Sequence, residues 1–223
     1  MISMSSMAGR LLVLFVFTAT LAGAQVRKGA WTPATETMER GYSSVSYWTY
    51  RDDGVEVGGG RISIEHGLPR WPAELDDPGA FDRATRGKFW RLGNNKWTTL
   101  DTNLPLRFEG RRVQPGIYYL ATQRDPSGNW SLVFVKPEAV RAGLLDAWDF
   151  VPRPSEVPVA FSVPLAYSRA AEKAATLRMA LALEDGDMSA ARLRIQWGVH
   201  LLETTMKIEM VSPDFYKTAG GKR

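Results

Sequence analysis

"RLRIQW", Arg192 to Trp197, decides the fold: Leu193, Ile195 and Trp197 alternate with Arg192, Arg194 and Gln196 without a break. A period of two sends successive side chains to opposite faces of an extended chain, so the stretch predicts a strand buried on one face and wet on the other. Just upstream, "EDGD" (Glu184 to Asp187) has the composition of a tight turn, and "ATLRMALALED" before it supplies the other arm of a hairpin. "HLLETTMKIEM" reads as a further closing segment, and prolines 152, 154, 158 and 164 bracket an extended passage ahead of all three.

The same alternation recurs towards the N-terminus. "YSSVSYWTY" (Tyr42 to Tyr50) and "RISIEH" (Arg61 to His66) flank the turn-like "RDDG" (Arg51 to Gly54), which predicts a hairpin. "LPLRFEGRRV", "GIYYLAT" and "WSLVFV" follow, separated by "QPG" and "RDPSGN", and read as successive antiparallel strands. A helix is predicted only for "KPEAVRAGLLDAW", where Pro137 falls in the first turn and Val140, Leu144 and Trp148 recur every four residues; it is expected to cover a sheet edge. Residues Gly67 to Gly87 hold three prolines among acidic and small residues and predict an irregular surface excursion, the kind of long loop that often carries function. Eight or more short strands with one short helix make the expected fold all-β, an antiparallel β-sandwich, with a β-barrel as the alternative.

The first 24 residues are set aside from this domain. One positive charge at Arg10, an apolar run from Leu11 to about Leu21 and the small residues of "AGA" before Gln25 predict a signal peptide cleaved after Ala24. The run falls short of the roughly 20 residues of a membrane helix, so the expectation is an exported protein, periplasmic or extracellular, with no stable membrane span after cleavage. A single domain is expected over residues 25–211 and a flexible tail over 212–223. Cysteine is absent, which removes disulfides and thiolate chemistry. The formal charge of +4 is spread without a basic run, which argues against a nucleic-acid partner.

Three segments carry a family resemblance. "FWRLGNNKWTTL", "VQPGIYYLAT" with "NWSLVFV", and "LRIQWG" resemble, in order, the signature, the central strands and the closing strand of the secreted bacterial family called domain of unknown function 2911. "ISIEHGLP" is similar to a divergent form of that family's upstream segment. Trp90, Arg91, Gly93, Asn95, Thr98 and Thr99 fit the signature, while Lys96 stands where it has glutamate, His66 where it has tyrosine and Leu68 where it has arginine. The resemblance implies an exported all-β domain.

The candidate binding residues cluster around that signature: Trp90, Arg91, Asn95, Lys96, Trp97 and, from the upstream segment, His66. Trp90, Trp97, Trp130 and Trp197 are able to form an aromatic platform or to fill the inter-sheet core, and the core is the commoner use. Arg91 offers a bidentate fork and Lys96 a point charge to an anion. Asn94 and Asn95 beside Gly93 fit a turn with left-handed backbone.

No metal site is expected, because His66 and His200 are the only imidazoles and have no ligand spacing, and no cofactor is expected. Asp76, Asp77 and Asp82 are the acids that a glycosidase-like hydrolase would have to use. The leading expectation is a non-enzymatic binding or accessory domain for an envelope component, a small ligand or a protein partner. A structural or interaction subunit is the alternative, and a hydrolase using the loop carboxylates is the second.

Overall fold

The computed structural model describes residues 39–50, 52–94, 96–142 and 157–210. The expected signal peptide, Asn95, the second half of the expected helix and the C-terminal tail lie outside these residues.

The alternation in "RLRIQW" does what a half-buried strand requires: Leu193 and Ile195 are sealed in the core, while Arg192 and Arg194 stay outside on Glu184 and Glu203. The segments around it are longer than their sequence reads. Two strands, β9 (Val159–Glu184) and β10 (Asp187–Ile208), replace the three closing segments and the last part of the proline-bracketed passage, whose Pro152 and Pro154 lie outside the described residues. They remain continuous because register shifts around Gly198 absorb the bend that separates "RLRIQW" from "HLLETT". Pro164 is tolerated inside β9 because that end pairs on one side only, with Ser131 and its neighbours.

The other strands are β1 (Arg40–Tyr50), β2 (Glu56–Gly67), β3 (Lys88–Trp90), β4 (Thr98–Thr102), β5 (Leu106–Phe108), β6 (Arg111–Val113), β7 (Gly116–Arg124) and β8 (Trp130–Val135). All pair antiparallel in the order β1-β2-β4-β7-β8-β9-β10-β5-β6, with β3 also on β7. β9 belongs to both layers: its first residues pair with β8 and the rest with β10. The ordering path is not closed, and it folds so that β1 comes to lie along β9, where the Leu181 amide donates to Ser43 Oγ at 2.9 Å.

Between the layers, Ile62, Ile64, Leu100, Leu120 and Phe134 of one sheet meet Leu177, Leu193, Met206 and Phe108 of the other. Each such side chain contributes about 1.5–3 kcal/mol on leaving water. The fold is thus all-β and antiparallel, consistent with the expected sandwich.

Two local expectations change. The helix at Pro137–Ala142 (α2) covers a sheet face, with Val140 packed beside Tyr119, Val133 and Val135 on the outside of β7 and β8, where an edge was expected. The excursion from Gly67 to Gly87 carries a 3-10 turn at Ala73–Asp76 and a second helix, α1, at Pro78–Thr85. The Asp77 carboxylate accepts from the Ala80 amide at 2.7 Å and Pro78 occupies the first turn, so an N-cap followed by proline starts this helix.

Candidate functional site

α1 is short and buries one side chain, Phe81. Its position is fixed by ion pairs from Asp82 to Arg86 and to Arg124, each at 2.9 Å, with Arg124 also donating to Thr85 Oγ1 at 2.8 Å. Phe81 is thereby laid on the imidazole of His200 from β10, ring centres 3.5 Å apart and planes within 5°. Trp130 of β8 lies 6.2 Å from Phe81. Across from these, Trp90 of β3 and Trp197 of β10 stack at 4.7 Å, and Trp71 meets Trp197 edge-on at 5.2 Å.

The rings do not close on one another. A partly open cavity of about 280 Å³ remains, walled by Phe81, Trp90, Trp130, Tyr167, Trp197 and His200. Its surface is overwhelmingly apolar, and the polar groups at it are Thr85, Lys88 and one hydrogen-bonded pair, Tyr167 Oη with His200 Nδ1 at 2.8 Å. Burial, together with the positive charges of Arg169 and Arg124, pushes the His200 pKa down to about 4, so the imidazole is neutral at pH 7. A neutral, hydrogen-bonded imidazole beside stacked indoles suits an uncharged, flat or aliphatic guest.

The structure distributes the sequence-derived candidates over three places. Trp90 joins the cavity wall. Lys96 and Trp97 border a separate groove on the outer face of the first layer, with Trp97 only 1% exposed and stacked on Tyr119 at 5.3 Å. Arg91 sets its guanidinium over the Trp97 ring, 5.6 Å from the centre. His66, 2% exposed, stands between the layers: Nδ1 donates to the Gly67 carbonyl at 2.8 Å, and Nε2 accepts from the Met179 amide at 3.3 Å. Its lowered pKa follows first from burial, with Arg40 adding to it, and its bonds tie β2 to β9.

"WRLGNNKW" is not the tip of a hairpin, because its flanking strands do not pair with each other. β3 and β4 lie end to end along β7, Trp90 opposite Thr122 and Thr98 opposite Leu120, so the whole excursion leaves and rejoins the same side of β7 beside Ala121. Gly93, at φ +81°, turns it back, and Thr98 Oγ1 donates to the Leu92 carbonyl at 2.7 Å to close it. Because Arg91 covers the indole that anchors this excursion, Arg91→Ala is expected to lower stability by about 1 kcal/mol, read from urea melts. A loss of 3 kcal/mol or more would show the guanidinium to be a buried structural ion instead.

Sequence reasoning missed Phe81 and Tyr167 as parts of a site, since one sits in the excursion read as irregular and the other falls between the proline-bracketed passage and the closing segments, in no element that was read. The signal for the first was present in "DDPGAF", an N-cap followed by a first-turn proline and one apolar residue.

The carboxylates considered for hydrolysis have structural partners. Asp76 accepts from Trp71 Nε1 at 2.9 Å and from Lys173 Nζ at 2.6 Å, Asp77 caps α1, and Asp82 holds Arg86 and Arg124. Hydrogen bonds from Lys173 and from Arg86 hold the Asp76 and Asp82 pKa values below the usual carboxylate range. Among the described residues no three histidine or acidic side chains converge as a metal site would require.

Fold and cavity together define an antiparallel β-sandwich with a ligand-sized aromatic hollow under a short helix. The chain belongs to the family described as "Protein of unknown function (DUF2911)", whose model matches residues 56–206. No curated protein and no solved structure matches it. Among the described residues no helix is long and apolar enough to cross a membrane.

Proposed function

We propose that the chain is an exported, non-enzymatic binding domain acting in the cell envelope or periplasm, and that it holds a small, largely apolar ligand in the aromatic hollow. The observation that carries the reading is the cavity of about 280 Å³ between Phe81, Trp130 and the Trp90–Trp197 stack, close to the lower end of ligand-pocket sizes. The N-terminal pattern ending in "AGA" supports export. The structural duties of Asp76, Asp77 and Asp82 support binding over hydrolysis.

The test uses N-phenyl-1-naphthylamine, a neutral apolar dye whose emission rises out of water. The full chain is expected to take it up at one site. Ala84, exposed on α1 at the cavity rim, offers a place to block that site without touching the core. Ala84→Trp is expected to weaken uptake at least about tenfold, which is about 1.4 kcal/mol, with an unchanged melting temperature. No uptake by the parent, or equal uptake by Ala84→Trp, would overturn the reading.

A further inference from the structure

The outer face of the first layer is separate from the hollow and is built differently. β1 alternates so that Tyr42, Ser44, Ser46 and Trp48 point away from the core, while Val45 and Tyr47 pack towards it. Tyr42 and Trp48 are 60% and 62% exposed, unusual for side chains of that size on a strand. The neighbouring strand leaves room for them: Gly59 lies opposite Trp48, and a β-carbon there would come within 3.3 Å of the indole. Trp48 therefore lies against a glycine backbone with its other side open to solvent.

Two neighbouring grooves lie along this face, of about 610 and 670 Å³, and share Tyr42, Arg61 and Asp101 in their walls. Their lining includes short hydroxyl and amide side chains, Ser44, Ser63, Thr99 and Asn103. Tyr42 and Trp48 stand six residues apart on one strand, about 20 Å at strand rise. The charge is uneven. Arg40, Arg61, Lys96 and Arg141 border the grooves against Glu65 and Asp101, and Glu65 is paired with Arg40.

We propose that this face binds an extended acidic glycan, a polysaccharide chain bearing carboxylates. Exposed aromatic rings stack on the C–H faces of sugar rings. The small polar lining accepts and donates hydrogen bonds to ring hydroxyls. Arg61 and Lys96 meet the carboxylates, Arg61 with the planar fork that suits them. The length of the face matches several linked sugars rather than one, and its surplus of positive charge selects acidic chains over neutral ones. A compact apolar guest would gain nothing from such an open, hydroxyl-lined surface.

Affinity electrophoresis of the full chain through gels containing polygalacturonate, with a neutral glucan gel as control, tests this. Retardation is expected in the acidic gel alone. Trp48→Ala and Arg61→Ala are each expected to weaken it at least about tenfold with melting temperatures unchanged, while Ala84→Trp leaves it as in the parent. Trp48 is the decisive variant, because a basic protein with a sequence pI of 9.4 migrates slowly among polyanions by charge alone. Retardation that is lost in moderate salt and indifferent to Trp48→Ala is bulk charge and overturns the proposal. So do equal retardation by the neutral glucan, absence of retardation in either gel, and a Trp48→Ala effect on self-association without an effect on retardation.

Discussion

Gly198→Ala is expected to destabilise the protein by about 3 kcal/mol. Gly198 sits where β10 shifts register against β9, with φ at +61°, a conformation that costs an alanine roughly 1 kcal/mol or more. The added methyl would also come within 2.6–2.7 Å of three ring atoms of Trp71. That indole cannot swing aside cheaply: it is 9% exposed, bonded to Asp76 through Nε1, and flanked by Trp197 at 5.2 Å and His200 at 5.3 Å. Overpacking of a held ring adds about 1–3 kcal/mol. Urea melts of the two proteins measure the difference. A loss below 1 kcal/mol would mean that Trp71 is loosely held behind Trp197 and His200, the two wall residues it packs against.

Acid should weaken the fold well before its carboxylates titrate. His200 has a folded pKa of about 4 against an ordinary 6.5, so the unfolded chain takes up a proton at a pH where the native state refuses one. The stabilising effect is complete above pH 6.5 and is lost as pH falls from there towards 4, at up to about 1.4 kcal/mol per unit. Solvent screening at a ring that is not fully enclosed, and cation–π compensation from the faces of Phe81 and Trp71, reduce this, so about 2 kcal/mol between pH 7 and 4.5 is the expected loss. His66 acts in the same direction through its own burial. The carboxylates act lower: Asp187, held at about 2 by Lys207 and Ser189, contributes stability that disappears only as pH falls below its ordinary 3.8. Urea melts at pH 7 and 4.5 for the parent and for His200→Gln separate the two ranges. A flat parent profile, or a slope that His200→Gln leaves intact, would contradict the assignment.

Much of this architecture was legible because one-sided burial leaves a mark on the chain. Leu193 and Ile195 against Arg192 and Arg194, or Ile62 and Ile64 against Arg61 and Glu65, can satisfy water on one face and the core on the other only as strands. The hairpins at "RDDG" and "EDGD" followed for the same reason, and the ordered signature segments carried the family. What stayed hidden depends on distance in sequence. Nothing local to Trp90 announces Trp197 as its stacking partner, and His66 reads as a surface ligand until Met179, on the opposite layer, comes to bond it. The turn expected at Gly93 is present, but that the strands on either side of it both lie along one side of β7 is a pairing fact, which composition does not record. α1 was the avoidable miss, since its cap and proline are adjacent in the chain.

The strand shared by both layers also sets the order in which this molecule can come into being. Before β9 arrives, β8 has a bare hydrogen-bonding edge and the apolar face formed by Ile62, Leu100 and Leu120 lacks most of its cover, because Leu177, Leu193 and Met206, which meet it, are made after β8. Ser43 waits for a partner 138 positions away. Contacts of such long reach oblige the chain to close large loops before it gains from doing so, which slows folding. A growing chain therefore stays unfinished until the hairpin of β9 and β10 is free, and then completes both layers together.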